Sequence, residues 1–210
     1  MKDLNVLMTG AGAPGAPSII KCLRKNGERN IRIIGVDMNE KSNGRRLVDV
    51  FYQVPPARDE GYIDAILKIC DREKIDIVMP LVTRELVKYA QSRQLFAERD
   101  IVLSVDDVDA LKIINNKASL LVKMREFGME TPAFKVVSTA DEMEAAIYEL
   151  GYPYSAVCVK GAEGNGSRGV RIIDPEKSLY DLFFNEKPNS MYISFDELMR
   201  ILILNYLNIS

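Results

Sequence analysis

A doubly wound α/β domain followed by a smaller α+β unit is what this sequence predicts, on three observations. Short continuous apolar runs alternate with helix-period segments through the first half of the chain, as when crossover helices bury a parallel sheet on both faces. The first run, Leu4–Thr9, feeds a Gly10-x-Gly12-x-x-Gly15 turn that opens a helix. Beyond residue 115 the alternation gives way to a helix, a capped αβ unit and a glycine-rich hairpin.

Taken in order, Leu4–Thr9 reads as a buried strand, and Pro17 sits well early in the helix whose stripe is Ile19, Ile20 and Leu23 and which Gly27 ends. Residues 31–36 form the next strand, closed by Asp37. Such a βαβ unit fits a nicotinamide-dinucleotide site of an NAD(P)-linked oxidoreductase. Against this, Pro14 and Pro17 remove backbone donors that a pyrophosphate would use, and the same turn serves packing in many doubly wound domains. We prefer the packing reading.

Residues 51–55 give a third strand and 62–73 a helix lined by Ile63, Ile66, Leu67 and Cys70. Residues 75–79 form a fourth strand, ended by Pro80. The helix opening at Thr83 puts Glu85 at the carboxyl edge of the sheet, where open α/β sheets bind ligands; a first-turn acid stabilising the helix dipole is the plain alternative. Residues 101–105 are the fifth strand, and Asp106 and Asp107 cap a helix carrying Leu111 and Ile114. Right-handed crossovers then give a doubly wound sheet over residues 1–114, with a second unit over 115–210.

The second unit opens with Asn116-Lys117 and a helix striped by Leu120, Leu121, Met124 and Phe127, which Gly128 terminates. A strand is expected at residues 134–137. Thr139-x-x-Glu142 is a capping box for a helix reaching Leu150, before Gly151 and Pro153. Residues 157–160 and 170–173 read as two strands around a loop with Gly161, Gly164, Gly166 and Gly169. Lys160 ends the first strand and Arg168 lies inside the loop. Successive loop amides with two cations suit a polyphosphate, whereas the bland alternative is a solvent-exposed hairpin with incidental charge. A lysine at the end of an apolar strand is costly to bury unpaired, which favours a bound phosphate. The loop is not a Walker A sequence.

After Asp174, Leu179, Leu182 and Phe183 continue a helix and residues 186–190 form a polar linker. Ser194-x-x-Glu197 caps a final segment that is apolar on nearly every side. Its cover is expected from its own domain or from a homo-oligomer interface.

Composition narrows the chemistry. With 47% hydrophobic residues over 210 there is ample core material, and a net charge of −2 predicts no general attraction to nucleic acid or membrane. No apolar run reaches spanning length. Three scattered cysteines, Cys22, Cys70 and Cys158, fit buried thiols in the reducing cytoplasm. The absence of histidine removes Ser-His and Cys-His nucleophiles and histidine-ligated metals.

VKGAEGNGSRGV, together with Asn116-Lys117, REFGMETPAF and IDIVMPLVTREL, resembles the front part of ATP-grasp enzymes, in particular of carbamoyl-phosphate-synthase-like members. The resemblance runs to about Asp174. It implies a Rossmann-like pre-ATP-grasp domain followed by a partial ATP-grasp subdomain that binds ATP through Lys117, Lys160, Gly164, Asn165, Gly166, Ser167, Arg168 and Gly169. Gly10, Gly12 and Glu85 would lie on the substrate side. The implied activity is ligation of a carboxylate, activated as an acyl phosphate, to an amine or similar nucleophile, with Mg²⁺ assisting. Asn116 stands where the family more often has an acidic residue. The family's acidic adenine-binding hinge and its Glu and Asn pair for Mg²⁺ find no counterpart after Asp174, so metal ligands are not expected in this chain. The substrate would be amino-acid-like or a small carboxylate. A noncatalytic fragment or interaction module is the third reading.

Overall fold

The computed structural model describes residues 2–164, 166, 169–178, 180, 181 and 191–206, the last three as backbone alone. Two compact units, Met1–Lys112 and Ile113–Ser210, divide the chain.

In the first unit β1 (Leu4–Thr9), β2 (Ile31–Asp37), β3 (Val50–Gln53), β4 (Ile77–Met79) and β5 (Val102–Leu103) form one sheet in the order β3-β2-β1-β4-β5. Every pairing is parallel, with Leu4 opposite Ile31 and Val6 opposite Ile77. Successive side chains of a strand point to opposite faces, and the two faces carry separate cores. Met8 and Ile33 pack with Ala16 and Ile20 of α1 (Ala16–Arg24). Leu7, Ile34 and Val78 pack on the other side with Ile66 of α2 (Tyr62–Glu73), Tyr89 of α3 (Thr83–Gln91) and Phe96 of α4 (Arg93–Ala97). α5 (Val108–Ile114) buries Leu111. The strand order reverses at β1, so the carboxyl ends of β1 and β4 form the switch point where such sheets bind ligands.

The doubly wound sheet is therefore as expected, with local differences. The strands predicted at 75–79 and 101–105 shorten to three and two residues. A 3-10 turn, Asn43–Arg46, and α4 were not anticipated.

In the second unit α6 (Lys117–Glu126) is capped by Asn116, whose side-chain oxygen accepts from the Ser119 amide at 3.0 Å. Its expected stripe is not a core: no α6 residue is buried and Phe127 is 71% exposed. Residues 134–137 are not a strand, correcting that expectation. A strand needs a neighbour's ladder, and none of the described strands pairs with this segment. Phe134 instead lies beneath the Arg125 guanidinium, 3.9 Å from the ring centre.

Thr139 caps α7 (Ala140–Glu149) as expected: its hydroxyl accepts from the Glu142 amide at 3.1 Å. The return bond from the Glu142 carboxylate reaches the amide of Ser138 rather than of Thr139, at 2.7 Å. β6 (Val157–Val159) and β7 (Arg171–Ile173) pair antiparallel. Val157, Ile173, Ile193 and Ile147 make the small core with Leu198 of α8 (Phe195–Tyr206). One side of α8 is thus covered by its own unit, while Ile203 on the same helix is 51% exposed. Leu179, Leu182, Phe183 and the linker at 186–190 lie outside the described residues.

Candidate functional site

The glycine hairpin is the candidate site in the second unit. Its two strands are fixed by three cross-strand pairs, and β7 is flanked by Tyr192, with the Ile172 amide donating to the Met191 carbonyl at 2.8 Å. Between the strands the loop uses left-handed backbone at Gly164, Gly166 and Gly169, with φ of +123°, +63° and +74°. Residues with a Cβ adopt such angles at a cost, so glycine is required for this path. Gly161 to Gly164 and Lys160 are exposed, so the loop opens to solvent.

α6 brings the second cation. The Lys117 amide donates to the Ala162 carbonyl at 2.8 Å, and its Nζ donates to the Gly164 carbonyl at 3.0 Å. Asn116 adds a long contact to the Glu163 carboxylate at 3.5 Å. The start of α6 is therefore docked on a loop more than forty residues away in sequence, and Lys117 stands at its mouth. Lys160, Gly164, Gly166, Gly169 and Lys117 belong to one region; Asn165, Ser167 and Arg168 lie outside the described residues. Among the described residues no three of Asp, Glu and Cys converge as metal ligands.

In the first unit, Glu85 is 8% exposed in the first turn of α3. Thr9 Oγ1 donates to its Oε2 at 2.5 Å and accepts from the Leu81 amide at 3.1 Å. Tyr62 and Tyr89 join hydroxyls nearby at 3.2 Å. Burial pushes the Glu85 carboxyl above the usual carboxylate range, opposed by hydrogen bonds from Thr9 and Tyr62 and aided by the charge of Asp37. The buried Tyr62 and Tyr89 phenols are likewise pushed up, chiefly by desolvation. No local sequence pattern marks Thr9, Tyr62 or Tyr89 as site residues: the first ends a strand and the other two lie on helices.

The glycine turn after β1 is filled by the protein itself. A Cβ on Gly10, whose φ is +57°, would fall 2.5 Å from Val82 Cγ2, and one on Gly12 2.6 Å from Ser42 Oγ and 3.0 Å from Asp37 Oδ2. The Gly12 amide already donates to Asp37 at 2.8 Å. In a dinucleotide site the second glycine leaves room for pyrophosphate; here Ser42 and Asp37 take that room. Gly10, next in sequence to Thr9, thus meets Val82, and Gly12 meets Ser42 and Asp37.

The chain is thus an α/β protein with a carboxyl at the switch point of a doubly wound sheet and, later in sequence, a glycine hairpin with a helix-borne lysine at its mouth. Residues 6–104 match the PylC-like, N-terminal domain family, and the chain is related to the front part of ATP-grasp enzymes. It is 23% identical over 210 residues to formate-dependent phosphoribosylglycinamide formyltransferase of Wolinella succinogenes, covering 97% of this chain and 51% of that protein. It is 25% identical over 162 residues to carbamoyl-phosphate synthase of Methanobrevibacter smithii, covering 74% of this chain and 41% of that protein. The chain thus spans about half the length of the curated relatives it matches, or less.

Among solved structures it shares its fold with N5-carboxyaminoimidazole synthetase from Staphylococcus aureus complexed with ADP, at TM-score 0.59 and 18% identity over 86% of this chain and 44% of that one. L-amino acid ligase from Bacillus licheniformis gives TM-score 0.59 and 16% identity over 97% and 42%.

Proposed function

We propose that this chain is the ATP-binding front part of an ATP-grasp ligase. The observation that carries the reading is the contact of Lys117 Nζ with the Gly164 carbonyl, which sets a helix-borne cation on the glycine loop. A triphosphate lying along the loop would take its amides and the charges of Lys117, Lys160 and Arg168. ATP, when bound, supplies the phosphoryl group that activates a carboxylate. The residues of this chain hold the phosphates, screen their charge and fix their direction. The neighbour solved with ADP supports the nucleotide, and the names of the curated relatives support ligase-type chemistry on a small carboxylate. Mg²⁺ would enter with the nucleotide and help neutralise the charge of its phosphates.

The test is thermal unfolding of the full chain with MgATP. Nucleotide at about a hundred times its Kd adds about 2.7 kcal/mol and raises Tm by several degrees. Lys160→Ala should abolish the shift and Lys117→Ala reduce it, while NAD(P) should produce none. An unchanged Tm with MgATP, or a shift that survives Lys160→Ala intact, overturns the reading.

A further inference from the structure

We propose that α7 and the start of α8, in the second unit, form a docking surface for an arginine-bearing peptide segment of a partner protein. Three aromatic rings meet there. The Tyr148 ring centre lies 6.1 Å from that of Tyr152 and 5.6 Å from that of Phe195, and Tyr152 stacks on Phe195 at 5.4 Å with 15° between the planes. Tyr148 is 48% exposed. Exposed aromatic side chains are the residues from which interface anchors are most often drawn.

The platform is fixed from below. Tyr152 and Phe195 pack against the core of Ile147, Val157 and Leu198, and the Tyr152 amide donates to the Ile147 carbonyl at 3.3 Å. Ser194 caps α8, its hydroxyl accepting from the Glu197 amide at 3.2 Å, which sets Phe195 at the first position of the helix. Rings held this way leave little side-chain ordering to be done when a partner arrives.

Charge says what the platform takes. Residues 139–156 carry Asp141, Glu142, Glu144 and Glu149 but no lysine or arginine, and residues 191–199 carry Asp196 and Glu197 and again none. Glu149 is paired with Lys135, and the Glu142 carboxylate accepts from the Ser138 amide. Glu144, Asp196 and, one turn further along α8, Arg200 are exposed and form no ion pair among the described residues. Glu144 stands one turn before Tyr148 on the same side of α7, and Asp196 follows Phe195. The surface is apolar at its centre and negative at its rim, which is complementary to a partner with the reverse charge.

The occupant follows from that combination. A guanidinium is planar and weakly hydrated, stacks on aromatic faces and pairs with a carboxylate at the same time, so arginine suits the surface better than lysine. The second unit already contains such a stack, Arg125 over Phe134 at 3.9 Å. Because the three rings touch one another, no cation fits between them and a small ammonium ligand finds no cage. A peptide that lays arginines across the exposed ring face and along Glu144 and Asp196 does fit. Nucleic acid is disfavoured by the sign of the charge.

Fluorescence anisotropy of labelled octa-arginine and octa-lysine peptides with the full chain tests the surface. Octa-arginine should bind at low ionic strength, about fivefold or more tightly than octa-lysine of equal charge, and should weaken about tenfold as salt rises to about 200 mM. The double variant Glu144→Gln, Asp196→Asn changes charge without changing shape and should weaken binding about tenfold. Tyr148→Ala should weaken it several-fold and remove the preference for arginine. Asp64→Asn, which neutralises an exposed acid on α2 of the first unit, should change nothing. Absence of octa-arginine binding, binding untouched by the double variant, or equal loss with Asp64→Asn overturns the surface. Equal affinity for the two peptides, or a preference that survives Tyr148→Ala, overturns the arginine assignment. Self-association of the chain in sedimentation that Tyr148→Ala abolishes would make a second copy the occupant and overturn the partner peptide.

Discussion

Glu85 shows what a single buried carboxyl does to a domain of this kind. Because Thr9 Oγ1 accepts from the Leu81 amide, its one proton is committed to Glu85. Even so, desolvation outweighs the hydrogen bonds from Thr9 and Tyr62, and the folded-state pKa is raised. The folded chain then holds a proton that the unfolded chain releases. The resulting stability is fully present below the unfolded carboxylate value of about 4.3 and is lost as pH rises through the folded one. Glu73, held down by the Tyr52 hydroxyl and Arg32, and Asp76, held down by the Asn5 amide and Lys2, act with the opposite sign: their contributions are lost as pH falls. Glu85→Gln removes one titration and leaves the others. Relative to wild type the variant should gain stability between pH 5 and pH 8, read as the change in the difference of urea midpoints; a difference that is the same at both pH values contradicts the assignment.

At the scale of elements, what could be read from the sequence was what local pattern dictates. α2 follows its predicted bounds because Ile63, Ile66, Leu67 and Cys70 repeat at helical spacing and all end buried. The capped start of α7 was legible for the same reason: Thr139 and Glu142 act within one turn. The 3-10 turn was not, since SNGRR has no apolar period and its place is set by Gly44 fitting against Ala11, a contact across more than thirty residues. A strand at 134–137 was predicted from β-prone residues, but ladder formation depends on a partner that local sequence cannot show. The Lys117–Gly164 contact joins a helix to a distant loop, and only family resemblance put both on one site.

The Gly44 fit gives a sharp contrast with another glycine. Gly44→Ala forces a Cβ into the Ala11 carbonyl, where backbone rather than a flexible side chain must move, and should cost about 3 kcal/mol or more. Gly15 has helical φ and ψ of −80° and −17° and nothing within 4 Å of an added Cβ. Gly15→Ala should be neutral or stabilise by up to about 1 kcal/mol by narrowing the unfolded ensemble. Urea denaturation of both variants checks the pair; comparable losses would mean that the turn's tolerance is not set by these contacts.

At the scale of the whole chain, the described residues of each unit form cores of their own. Every buried residue of the two sheet-flanking clusters lies before residue 104, and every one of the third lies after 146. The first unit builds a core on each face of its sheet from its own residues. Among the described residues, the second has five buried residues in its cluster and a helix, α6, with none. Burial of apolar area is the main term holding a domain together, so stability should be concentrated in the first unit. A fragment of residues 1–112 should fold alone, with a cooperative thermal transition and the circular dichroism of a parallel α/β domain. A fragment of residues 113–210 should unfold at lower temperature and lower urea concentration. A non-cooperative 1–112 fragment, or a 113–210 fragment that outlasts it, would show that the sheet's two cores are not where the chain's stability resides.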